Sequence, residues 1–186
     1  YNIYDANTNF GLNATSTIVI YSTNADGTTK ASTLTSSNQT IYACVVPGNL
    51  SATITTTEQY SANGYAPVSM RRTLTVTNIT QNLHAYLYNS SYAVTTQMKV
   101  IQAPNSPIAN AIVKVQKFTA PSNYTDYVDC TTSDSGTCTV YLYPNVDIYY
   151  YIVMIGSANY TFGPEALSCD VGSSACFRTF TIGQIN

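Results

Sequence analysis

Five cysteines, one histidine and nine carboxylates are the residues of this chain with chemical potential. Cys130 and Cys138 bracket Thr131–Thr137, and Cys169 and Cys176 bracket Asp170–Ala175. Each pair flanks a turn-like segment, a spacing that predicts two local disulfides closing hairpins if the Cα separations allow. No Cys-x-x-Cys occurs and His84 is the only histidine, so the thiols have no partners for a zinc site. Cys44 is left over and reads as a buried thiol rather than a nucleophile. Disulfides imply an oxidising location.

The remaining candidates are sparse. His84 lies in an alternating run with tyrosines, and no nucleophile elbow accompanies it, so a surface or interface histidine is expected. Asp126, Asp129 and Asp134 form a loose acidic group without the dense oxygen ligation calcium requires. Glu58 and Glu165 are far apart and suggest no glycosidase pair. Arg71-Arg72 reads as a strand-end surface doublet. The tyrosines at 141, 143 and 149–151 suit either sugar platforms or buried packing, and the absence of tryptophan weighs against a dedicated platform. No catalytic residue, metal or cofactor is assigned, and the chain is not expected to be an enzyme.

Charge explains why the vocabulary is thin. Only 9% of the 186 residues are charged, against roughly 25% in ordinary soluble domains. Thr, Ser and Asn make up 63 residues and Tyr another 17. A net charge of −2 offers no footprint for nucleic acid or anionic membrane. No apolar run approaches the roughly 20 residues of a membrane span. Sequons fall at Asn13, Asn38, Asn49, Asn78, Asn89, Asn123 and Asn159, against roughly four from composition alone, so N-linked glycans are expected. Tyr1 in place of an initiator Met reads as a processed start.

The elements that must hold these residues are strands throughout. No long 3.6-period stripe with caps predicts a helix. Period-two alternation marks Thr73–Thr77 and Leu83–Tyr88, with His84, Tyr86 and Tyr88 on one face of the latter. Further strands are expected at Ser16–Ser22, Thr40–Val46, Ser51–Thr57, Tyr92–Ile101, Ala109–Phe118, Tyr124–Cys130, Cys138–Tyr143, Ile148–Ile155 and Cys176–Ile182. Short strands between Gly-, Asn- and Pro-rich turns predict an all-β protein of Ig-like or transthyretin-like sandwiches. The two prolines of Ala103–Pro107 mark the expected boundary: a strand at Tyr1–Asn13, one sandwich over Ala14–Ala103, another over Pro104–Asn186.

Two resemblances follow. "PIANAIVKV", "SDSGTCTVYL" and "YYYIVM" resemble the transthyretin-like modules of secreted proteins, including carboxypeptidase regulatory and collagen-adhesin B-type domains. That resemblance implies an accessory structural domain. The adhesin type can carry Lys–Asn or Lys–Asp isopeptide bonds, for which Lys114, Lys117 and Glu165 would be the residues, with ordinary surface lysines the simpler expectation.

The first thirteen residues alternate, with Tyr4, Ala6, Thr8, Phe10 and Leu12 on one register and Asp5, Asn7, Asn9, Gly11 and Asn13 on the other. This segment suits either the first strand of its own domain or a donor strand filling the groove of the next subunit. Together with the uncharged composition and the scattered sequons, it resembles the thread filament subunits of thermoacidophilic archaea. That resemblance implies an extracellular pilus assembled head to tail from copies of itself, with Tyr4, Ala6, Thr8, Phe10 and Leu12 as the donor residues, serving adhesion or biofilm formation. A monomeric cell-surface adhesin or glycan-binding module is the alternative.

Overall fold

The structure, a computed structural model, describes residues 1–24, 26–44, 50–75, 80–119, 123–169 and 175–183. Among them are fourteen strands and no helix. The chain divides into two compact units, Tyr1–Asn89 and Ser90–Asn186. The division falls earlier than Ala103–Pro107, because the strand Val94–Gln102 pairs with strands of the second unit.

The first unit contains β1 (Asn2–Asp5), β2 (Thr15–Asn24), β3 (Thr29–Ser36), β4 (Leu50–Ser61), β5 (Val68–Thr75) and β6 (His84–Leu87). Its main sheet is antiparallel in the order β3-β2-β4-β5. Alternation along these strands sends Ile18, Ile20, Ile54, Tyr60, Val68 and Met70 into the core. The opposite face carries Thr17, Thr33, Thr55 and Thr73 with Arg71 beside Thr57, a face solvated mainly by hydroxyls. A second layer is a two-stranded parallel sheet of β1 and β6, with Ile3 opposite Ala85 and Tyr4 opposite Tyr86.

The second unit contains β7 (Val94–Gln102), β8 (Ser106–Pro107), β9 (Ile112–Thr119), β10 (Asn123–Thr131), β11 (Thr137–Leu142), β12 (Ile148–Ile155), β13 (Ala158–Ala166) and β14 (Ala175–Ile182). One sheet runs β10-β9-β12-β13; the other runs β11-β7-β14, with β8 beside β7 and β14 parallel to β7. Tyr127, Tyr149, Tyr151 and Phe180 are fully buried between them with Val113, Val115 and Val153. Tyr151 and Phe162 both pack on Phe180, with ring centroids 5.2 and 5.0 Å away.

Several expectations change here. The described part of Thr40–Val46 is no strand beyond a bridge from Thr40 to Asn2. β3 and β13 were not expected, since β3 offers only Ala31 and Leu34 as aliphatics and β13 contains Gly163-Pro164. Tyr88 is fully buried rather than sharing a face with His84 and Tyr86, because β6 ends at Leu87 and the Tyr88 carbonyl accepts from Ala66 N–H.

Candidate functional site

Titratable chemistry in the first unit is concentrated beneath β1. Along β4 the inward positions are Thr56, Glu58 and Tyr60, all buried. The Thr56 hydroxyl donates to Glu58 Oε1 at 2.7 Å, and the Tyr60 hydroxyl donates to Oε2 at 2.9 Å. On β5, Arg72 occupies the inward register of Val68, Met70 and Leu74. Its Nε lies 3.5 Å from Glu58 Oε2, within ion-pair range but without hydrogen-bond alignment. Its Nη2 donates to the His84 carbonyl of β6, so the guanidinium ties the main sheet to the second layer. Burial, then the Glu58 charge, raises the Tyr60 phenol pKa and pushes that of Tyr1 up to about 12, so both phenols stay protonated. Arg72 is therefore not a surface residue: a carboxylate buried on this sheet needs a cation, and Arg72 supplies it.

β1 closes this layer. Ile3 is wholly buried, and its N–H donates to the Gln39 carbonyl. The Tyr1 carbonyl accepts from Ile41 N–H, and Leu12 N–H donates to the Ile3 carbonyl. Outward, Tyr4 stacks on His84 at 5.4 Å and on Tyr86 at 5.7 Å. After Asp5 the chain turns. The Asp5 carboxylate accepts from the N–H groups of Asn7 and Thr8 and from the Tyr65 hydroxyl at 2.7 Å. Burial would raise the Asp5 pKa, but these hydrogen bonds outweigh it and hold it below the ordinary carboxylate value. Asn9 takes a left-handed φ of 58°, and Phe10 is left 76% exposed. The Gln39 side chain lies over Gly11, where the chain returns toward β2.

The thirteen-residue segment is thus a short strand and a hydrogen-bonded turn, not one long alternating strand. Within the single chain, Ile3 fills the core position. Tyr4, Ala6 and Leu12 are half-buried, and Thr8 and Phe10 are exposed. Sequence alternation missed Ile3 because it assumed the segment extended throughout. The sequence reading of Glu58 as an isolated carboxylate and Arg72 as a surface residue does not contain their buried pairing. The available signal was Arg72 standing in the apolar register of Val68, Met70 and Leu74.

The second unit holds both disulfides, Cys130–Cys138 and Cys169–Cys176, with Cα separations of 5.9 and 5.4 Å. The first does not close a hairpin within one sheet; it joins β10 of one layer to β11 of the other. Cys44 is free and exposed, not buried. Asp126 accepts from Lys114 at 2.9 Å and Gln116 at 2.7 Å, Asp129 is buried and Asp134 exposed. Among the described residues no group of three His, Cys, Asp or Glu could hold a metal ion. Lys117 meets Asp147 at 3.2 Å, and Glu165 pairs with Arg178 at 2.7 Å. Burial lowers the Lys117 pKa to about 8 and raises that of Asp147 to about 6. Tyr149 and Tyr151 are core residues, which rules them out as an exposed sugar platform.

Of the sequons, Asn13, Asn38, Asn123 and Asn159 are exposed and Asn89 is half-buried; Asn49 and Asn78 lie outside the described residues. None of the described residues forms a helix long and apolar enough to cross a membrane.

No protein-family model matches the sequence, and no curated protein matches it. Among solved structures, the chain is similar to "The Bacillus anthracis TIE protein" at 10% identity and a TM-score of 0.28, over 97% of this chain and 32% of that one. The chain spans about a third of that structure's length, and likeness at this level carries no argument about fold or function.

Proposed function

We propose that this chain is a non-catalytic structural subunit of an extracellular, archaeal-type filament, in which copies join by exchanging β1. The observation that carries the reading is the construction of the β1 slot. Four residues of backbone pairing, one buried isoleucine and an exposed turn over residues 7–11 hold β1 in place. A neighbouring copy could supply the same strand to the same slot, with the turn as hinge, because an exchanged identical element makes the same contacts. The acceptor slot would be lined by β6, Gln39–Ile41 and the Thr56–Glu58–Arg72 cluster, with Ile3 the residue filling it and Tyr4 stacking outside. Two disulfides fit assembly in an oxidising compartment. Hydroxyl-rich outer faces and N-glycans suit an exposed surface, and the partner is a second copy of the chain.

The pairing of β1 within one chain equally fits the second reading, a monomeric surface adhesin or glycan-binding module. Deleting Tyr1–Leu12 separates the two. Strand exchange predicts that the wild-type chain gives filaments in negative stain and that the deleted chain gives none, while a peptide of residues 1–12 binds the deleted chain. Monodisperse wild-type particles at every concentration overturn the filament reading.

A further inference from the structure

The geometry points to a sugar-binding cleft at the base of the turn that follows β1, filled by the first sugars of an N-linked glycan on Asn13. An open cleft of about 400 Å³ is lined by Asn13, Ala14, Thr15, Ser37, Ser61, Ala62 and Asn63. Its volume lies at the low end of the roughly 300–1,000 Å³ of small-ligand sites. No lining residue is charged, so the cleft offers no formal charge to attract an ionic ligand. Two side-chain amides and three hydroxyls supply both donors and acceptors, and the methyls of Ala14 and Ala62 offer small apolar contacts. That mixture matches a neutral pyranose, whose hydroxyls need amide and hydroxyl partners and whose C–H face needs a methyl.

Asn13 also begins the sequon Asn13-Ala14-Thr15 and is exposed. Its Oδ1 accepts from Gln39 N–H at 3.1 Å, which fixes the amide and leaves Nδ2, the atom that carries an N-linked sugar, as the group open to modification. Acceptor and cleft are therefore one site. The other described sequons, at Asn38, Asn89, Asn123 and Asn159, do not line it. A sugar seated here would brace the loop between β1 and β2. This inference stands on the cleft and the sequon and does not depend on filament assembly.

The test uses the full chain, secreted from a host that attaches N-glycans. Glycopeptide mass spectrometry should find Asn13 occupied. Enzymatic release by a peptide N-glycosidase from the folded chain should be about ten-fold slower at Asn13 than at Asn123 or Asn159, with equal rates after denaturation. Ser37→Trp, which fills the cleft from an exposed position, should bring Asn13 to the rate of the others; Asn63→Trp does the same from the opposite rim. An occupied Asn13 released as fast as Asn123 overturns the proposal. The wild-type chain made in a host that attaches no N-glycans, its cleft intact, is titrated with diacetylchitobiose to separate the sources. An empty Asn13 in the chain from the glycosylating host, combined with binding by this unglycosylated chain, assigns the cleft to a free sugar and overturns the linkage. An empty Asn13 without binding overturns the site altogether.

Discussion

The two units solve the same problem, stabilising a low-charge β-sandwich, by opposite means. The second is held covalently and by aromatic packing: both disulfides lie in it, and its core carries Tyr127, Tyr149, Tyr151 and Phe180. The first contains one cysteine, Cys44, and so has no internal disulfide. Its centre is instead a buried ion pair, Glu58–Arg72, satisfied by hydroxyls and capped by a strand of four residues. A covalently stapled unit resists opening, whereas one closed by a short parallel strand can release that strand without breaking a covalent bond. The strand proposed to exchange, β1, belongs to the unit without staples.

The sharpest way to break the contrast is to remove one half of the buried pair. Arg72→Ala leaves Glu58 charged and buried without its cation and should cost about 3–5 kcal/mol, confined to the first unit. Hydrogen exchange should show β2 and β4 amides losing protection while β9 and β12 keep theirs. Replacing both partners, Glu58→Leu with Arg72→Met, should recover most of that loss; no recovery would mean that the pair does more than neutralise itself.

Ile3→Ala should destabilise the same unit by about 3 kcal/mol through the cavity left under β1. A loss below half that, measured by the same exchange, would show that β1 is only loosely seated. In the second unit, Cys130→Ala with Cys138→Ala should cost about 2–3 kcal/mol by lengthening the unfolded chain's free loop. First-unit amides should be unaffected.

The smallest effect is a divergence with acid. The Asp147 carboxyl is raised by burial to about 6, so the stability it contributes is fully present below about pH 4 and lost as pH rises through 6. Asp5 is lowered, so its contribution is present above about pH 4 and lost as pH falls below that. From pH 7 to 4 the second unit should therefore gain about 1 kcal/mol through Asp147, the roughly 3 kcal/mol of the full shift being reduced by solvent screening and by loss of the ion pair with Lys117. Below pH 4 the turn after β1 should loosen. Asp147→Asn should flatten the first response and Asp5→Asn the second; parallel responses in the two units would contradict the assignment.

How much of this was legible in sequence depended on contrast. Ile148–Ile155 is a continuous apolar run, and the strand has those bounds. The disulfides were legible from spacing, though not the fact that Cys130–Cys138 crosses between layers. β3 was invisible because it is an edge strand with both faces polar or half-exposed, so no alternation distinguishes it from a loop. The Glu58 cluster was hidden for a related reason. In Thr55-Thr56-Thr57-Glu58-Gln59 both faces are polar, and only pairing with β2 and β5 decides which one is buried. The even register of Tyr4–Leu12 misled because the Asp5 turn, made by side-chain to backbone hydrogen bonds, ends the strand after one turn's worth of alternation.

The claim that β1 is exchanged between copies can be tested by fixing it where it sits. Ile3 and Ala85 are register partners on the buried face of the β1–β6 pair, so Ile3→Cys with Ala85→Cys can be oxidised in a Cys44→Ala background. If β1 is exchanged, chains oxidised after assembly should run as a ladder of covalent multimers on a non-reducing denaturing gel. A single monomer band carrying the new bridge internally, at every concentration, would contradict the account and leave β1 as the first strand of its own fold.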